Sequence, residues 1–557
     1  MSAGVFPRRS VLLGMVAISL LGWSLRGGGQ EKDVKASEIE KNKTGQGNRL
    51  EKRFFSFVTC IDCHRSGTPA GAPERLCRCI EVPLWNTKDK HQDAYNVLLP
   101  KNERAKRMGE ILKISPESEA SCLSCHSMFA KGDAKYKEAG LLAEGVSCVA
   151  CHGAFEAWFD PHGSSDPVKR KNWREKTRNE KQDQFGMTDL WHAETRTKIC
   201  SSCHIGDTEK GRVITHEMYA AGHPPLSGFE TATFSEGMPM HWQLLREKSP
   251  KIQELLNYSE QKDGLEQTRI VIIGNVAAFR ESMRLLASQA EACVQAKDAA
   301  KQILDMAQFD CAQCHHDLKR KSWRQERGYK TTPGRPQFRP FSTALLQVAI
   351  GHAGGSDREV DVLKAKIEAL YKAFSTKPFG ESKEVARIAN ELAEWSSSLA
   401  QKLNHDPARY DKAAALGLLK RIAEIPSKEV PDYDSARQIA WSFRAIYYEL
   451  IGAPTESKQP GDGSVRNKLA LEREAMAKHI MDLEKGLLLK LPLTDEANEN
   501  KEYPTDEARR AALLSEYTQQ RQAKYDKFWP ENLVKQGDYG PDEFRKTFSA
   551  IAKLFPK

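Results

Sequence analysis

The sequence predicts a mainly α protein in two parts: a first part with little regular sheet, wrapped around covalently attached cofactors, and an all-α helical domain behind it. Three observations carry this. The pentapeptide Cys-x-x-Cys-His occurs five times between Cys60 and His315. The stretch that holds these motifs is rich in Gly and Pro and has few long periodic segments. Beyond about Ala344 there is no further cysteine, and one amphipathic stripe follows another.

The five motifs are Cys60-Ile-Asp-Cys63-His64, Cys122-Leu-Ser-Cys125-His126, Cys148-Val-Ala-Cys151-His152, Cys200-Ser-Ser-Cys203-His204 and Cys311-Ala-Gln-Cys314-His315. Paired Cys-x-x-Cys also builds zinc ribbons. Here every such pair is followed by His, the pattern in which two thiols attach to porphyrin vinyl groups and the next His ligates the iron. Five covalently bound haem c groups are therefore expected, and ten of the thirteen cysteines serve them. The others, Cys77, Cys79 and Cys293, read as structural thiols; a disulfide between Cys77 and Cys79 would be strained.

A basic balance usually prompts a search for nucleic acid. Each bis-imidazole haem contributes about −1 when ferric and about −2 when ferrous, so five bring the formal +9 to roughly +4 oxidised and roughly −1 reduced. The basic side chains offset propionates, and no nucleic acid partner is expected.

At the start of the chain, Pro7-Arg8-Arg9-Ser10 precedes an apolar run from Val11 to Trp23 that is short for a bilayer span. Residues 1–29 read as a signal peptide or an N-terminal anchor, which implies export to the periplasm by the general secretory route, and 30–50 as a polar linker. The haem-bearing domain is expected over 51–343. It is interrupted between Ile252 and Met306, where Val276, Phe279, Met283 and Leu286 keep helical spacing and predict a helix or helical hairpin. The α-helical domain is expected over 344–557. Its stripes include Leu363, Ile367, Leu370 and Phe374, then Val385 to Leu403, then Ile439 to Leu450. Nothing in it reads as catalytic.

The remaining histidines decide what closes the sixth coordination position of each iron. His91, His162, His216, His223 and His316 are the expected distal ligands, with His192, His241 and His352 in reserve. His216 and His223 lie seven residues apart, but Gly222 and Pro224 break the helix between them, which lets them serve different irons. His316 cannot reach the far face of the haem held by His315 and is assigned to a neighbour. His405 and His479 read as surface residues, and Met128, Met187 and Met218 as packing. Bis-imidazole ligation lacks a potential-raising Met, so low potentials follow.

The motif order, with Trp85-x5-His91 after the first motif and Gly145-Val-Ser before the third, resembles the cytochrome c-554 family of multihaem cytochromes c. Ala221-Gly-His-Pro-Pro-Leu226, Cys314-His-His-Asp-Leu318 and Ser322-Trp-Arg-Gln325 resemble larger bacterial relatives. The resemblance implies that the early haems stack in close pairs and that the second lacks a distal ligand. The fifth motif and the long tail depart from the tetrahaem archetype.

The function expected is that of an exported pentahaem electron carrier between redox partner proteins, free or within a membrane-associated electron-transfer complex, rather than an enzyme. The alternative is a reductase or oxidase of small nitrogen compounds at a five-coordinate haem. All five motifs end in His, whereas pentahaem nitrite reductases use Cys-x-x-Cys-Lys at the active haem.

Overall fold

The computed structural model describes residues 56–555 apart from 66–76, 129–138, 154–155, 227, 257, 260–263, 317–321, 340, 342, 452–462 and 491–506. The expected leader 1–29 and linker 30–50 lie outside the described residues. The architecture is mainly α: the described residues contain no strand, only isolated bridges between Asp207 and Arg212 and between Phe309 and Phe338. No described helix is long and apolar enough to cross a membrane. From Leu50 to Lys557 the chain is one compact unit.

The unit is built on one helix, Glu266–Gln295, of 30 residues. The periodicity of Val276, Phe279, Met283 and Leu286 marked one face, and all four are buried. The run from Ile270 to Arg280 is buried on every side, as happens when a helix is surrounded rather than laid on a surface. Its neighbours explain this. Ser382–His405 runs along it, and Ala193–His204, Thr231–Glu236, Thr343–His352 and Tyr433–Ile451 cover the rest. One hydrophobic cluster thus extends from Ala193 to Ile551 and crosses position 343 without a break. Before Ala193 the apolar clusters are small: Leu98 with Leu123 and Leu142, and Trp158 with Trp173.

Polar groups fix the start and the depth of this helix. Leu265 offers no capping side chain. The fully buried Glu449 carboxylate takes its place, accepting the backbone N–H of Gln267 at 2.8 Å and of Thr268 at 2.7 Å, and pairing with Arg246 at 2.9 Å. Gly274 sets the closeness of two neighbours: a Cβ there would sit 2.8 Å from Thr231 Oγ1 and 3.2 Å from Thr197 Oγ1. Those two hydroxyls are hydrogen-bonded to each other at 2.9 Å. The helix that ends in the fourth motif is thereby held against the core. Gly274→Val should cost about 1–3 kcal/mol through overpacking. Thermal unfolding checks this, and an unchanged midpoint contradicts it.

Candidate haem sites

Each motif sits at or near the end of a short helical element: Val58–His64, Ala120–His126, Cys148–His152, Ala193–His204, and for the fifth the turn Cys311–Gln313. Positions i, i+3 and i+4 share one helical face, so the two thiols and the imidazole of a motif point the same way. None of the ten motif cysteines is in a disulfide, so all ten are available for attachment.

An imidazole ligand places its nitrogen about 2.0 Å from a metal and its ring centre about 1.15 Å further, so two imidazoles on opposite sides of one iron have centroids about 6.3 Å apart. Five histidine pairs meet this distance. His64 faces His162 at 6.1 Å, His126 faces His223 at 6.4 Å and His152 faces His241 at 6.4 Å. His204 faces His91 at 6.2 Å and His315 faces His216 at 6.2 Å. Each pair joins one motif histidine to one from elsewhere in the chain. The residues fit bis-imidazole haem at all five positions.

The structure brings His91, His162, His216 and His223 opposite motif histidines. His316 is exposed and stands outside these pairs. The partner of His152 is His241, which the sequence placed in reserve. Pro239 and Trp242 frame it, and its Nδ1 meets the Pro239 carbonyl at 3.3 Å. The second site, for which the resemblance implied no distal ligand, has His223 opposite His126. The cause is Gly222, whose φ of +115° ends the helix His216–Ala221 and turns His223 away from the site that His216 serves. His192 starts the helix Ala193–His204, and His352 is buried beside Arg421 in the helical part. Met128 is buried against Ser147, and Met187 packs near Trp158 and Trp173.

Nδ1 contacts leave Nε2 free to point at a metal. His64 Nδ1 meets Glu81 at 2.8 Å and His91 Nδ1 meets Asp89 at 2.9 Å. His126 meets the Ala94 carbonyl at 2.7 Å and His223 the Pro224 carbonyl at 2.7 Å. Such second partners fix the tautomer and raise ligand basicity. Glu81 and Asp89 were not legible as partners in the sequence; the signal lay in the short spacing of Asp89 and His91, whose backbone N–H also donates to Asp89 Oδ1 at 2.9 Å.

Burial holds most of these imidazoles neutral, as a ligand must be. It lowers His152, His162 and His223 to about 4 and His204 to about 3. His64 goes the other way: burial opposes its charge, yet hydrogen bonds to Cys77 and Glu81 carry it up to about 11. His91 is also raised, because the charge and hydrogen bonds of Asp89 outweigh burial.

The sites are contiguous. The Cys60 and Cys148 sulfurs are close neighbours, which puts the first and third motifs side by side. Cys125 and Cys203 do the same for the second and fourth. Asp89 holds His91 and lies within electrostatic reach of His241, and so adjoins both the fourth and third sites. Tyr219, on the helix that begins with His216, places its ring 6.2 Å from His223, so the fifth site adjoins the second.

Residues 59–153 match the family of cytochrome c554 and c-prime. That segment is related to cytochrome c-554. It holds the first three motifs and His91. Through this relation the chain is a c-type cytochrome that carries covalently bound haem c and transfers electrons. The cytochrome c554 match ends at Gly153, before the fourth and fifth motifs and before His162, His216, His223 and His241, which face His64, His315, His126 and His152. No curated protein and no solved structure gave a match.

Proposed function

We propose that this protein is an exported pentahaem cytochrome c that carries electrons between redox partner proteins, and that it is not itself a catalyst. One observation carries the reading: every motif histidine faces a second imidazole at 6.1–6.4 Å. A site closed on both faces offers a substrate no iron position, which favours a carrier over a reductase of small nitrogen compounds. Each haem supplies a one-electron iron couple when bound.

The chain does the rest. Ten thiols, Cys60 and Cys63, Cys122 and Cys125, Cys148 and Cys151, Cys200 and Cys203, Cys311 and Cys314, anchor the groups. His64, His126, His152, His204 and His315 are the proximal ligands, and His162, His223, His241, His91 and His216 the distal ones. Contacts between neighbouring sites support the order first, third, fourth, second, fifth for electron passage. Ionised Glu81 and Asp89 favour the ferric state at the first and fourth sites and keep their potentials low. The leader-like residues 1–29 support export, as signal peptide or anchor, and the partners are redox proteins, free or in a membrane-associated complex.

Pyridine haemochrome together with the mass of the denatured chain tests the count. Five haems per chain are expected, and four or fewer would sink the pentahaem reading.

A further inference from the structure

Arg196 is 8 % exposed and stands one turn before Cys200 on the helix Ala193–His204. Two of its nitrogens are accounted for. Nε donates to the Leu190 carbonyl at 2.6 Å, and Nη2 lies 4.0 Å from Glu266 Oε1. Nη1 is shut off from solvent and has no partner. The guanidinium centre lies 6.0 Å from the ring centroid of Trp242, whose indole Nε1 is likewise sealed and unpartnered. Trp242 in turn packs edge-on against His241 at 5.1 Å.

Two orphaned donors side by side, one of them cationic, are costly unless an acceptor reaches both. A carboxylate has the required shape, since its two oxygens accept from a guanidinium and an indole at once. Glu266 does not serve, because it approaches the other nitrogen, Nη2. The chemistry adjoining His241 that carries such a group is the haem edge.

We propose that Arg196 Nη1 and Trp242 Nε1 together grip one propionate carboxylate of the haem held by His152 and His241. The clamp rests on the reading of His241 as an iron ligand. It fixes the haem's rotation about the iron axis and sets a fixed positive charge beside one propionate, so it tunes the third site separately from the others.

The test uses holoprotein produced on aminolaevulinate labelled with carbon-13 at its carboxyl, which puts the label in the propionates, and reads redox-difference infrared spectra. Arg196→Lys keeps the charge but loses the fork, and Trp242→Phe keeps the ring but loses the donor. Both should shift the same single label-sensitive carboxylate band and leave the others in place. Unshifted bands, or different bands in the two variants, with all haems attached, overturn the clamp. A His241→Ala variant that keeps every low-spin ferric signal of the unmutated protein would instead overturn the reading of His241 as a ligand, on which the clamp rests.

Discussion

Replacing His241 by alanine should open one iron. One of the low-spin ferric signals is lost, a high-spin signal worth one haem takes its place, and that site's potential rises. Axial ligands move haem potentials over roughly 0.8 V, so loss of one strong donor that favours the ferric state is expected to raise this couple on the order of 0.1 V. The variant should fold, because His241 is only partly buried and lies in a loop rather than in the large hydrophobic cluster. His316→Ala is the control. Both residues were in view from the sequence, and His241 stands 6.4 Å from the motif histidine His152. If His316→Ala opens an iron and His241→Ala does not, the assignment at His152 is wrong. Low-temperature EPR with redox titration reads both quantities.

The second large effect concerns the carboxylates behind the ligands. Asp89 is fully buried and bonds His91 through both the backbone and Nδ1. Despite the cost of burial, the His91 charge and hydrogen bonds keep its carboxyl below the usual range. An ionised carboxylate on a ligating imidazole adds electron density to it and favours ferric iron. Asp89→Asn keeps the shape and removes the charge, so the potential of the His91/His204 site should rise by roughly 50 mV, equivalent to about 1 kcal/mol for one electron. Glu81→Gln should do the same at His64/His162, where the carboxylate contact is 2.8 Å. The second site, whose Nδ1 partners are the neutral carbonyls of Ala94 and Pro224, should not move. Potentiometry of the two variants checks this. A fall in potential, or an equal rise at all five sites, contradicts the ligand-specific account.

Much of this arrangement could be read from local sequence, and the rest fails for identifiable reasons. The five motifs are contiguous, so their geometry is local. His216 and His223 were separable because Gly222 and Pro224 are a helix-ending signal in the chain itself. The His152–His241 pair spans 89 positions with no local mark, whereas His316 drew notice simply by adjoining a motif. The central helix shows the same limit in packing. Val276, Phe279, Met283 and Leu286 declare one face, but Ile270, Val271, Ile272 and Ile273 are buried consecutively. They are buried because helices far away along the chain in both directions, from Ala193–His204 before it to Ser382–His405 and Tyr433–Ile451 after it, close over the remaining faces. The mainly α architecture was legible; the way the later helices share a core with the helix before the fifth motif was not.

The central claim is that all five irons are closed by two imidazoles. Low-temperature EPR of the fully oxidised protein tests it most directly, because ring geometry adds a pattern to the count. Imidazole planes are near parallel at His64/His162 (12°) and inclined by 31° at His216/His315. They are steeply crossed at His152/His241 (69°), His126/His223 (84°) and His91/His204 (89°). Parallel rings split the two iron π orbitals and give rhombic low-spin spectra; crossed rings leave them nearly degenerate and give strongly anisotropic ones. The account predicts low-spin iron alone, with two rhombic and three strongly anisotropic signals. A high-spin component worth one haem in the unmutated protein would contradict it and return the chain to the class of small-molecule reductases.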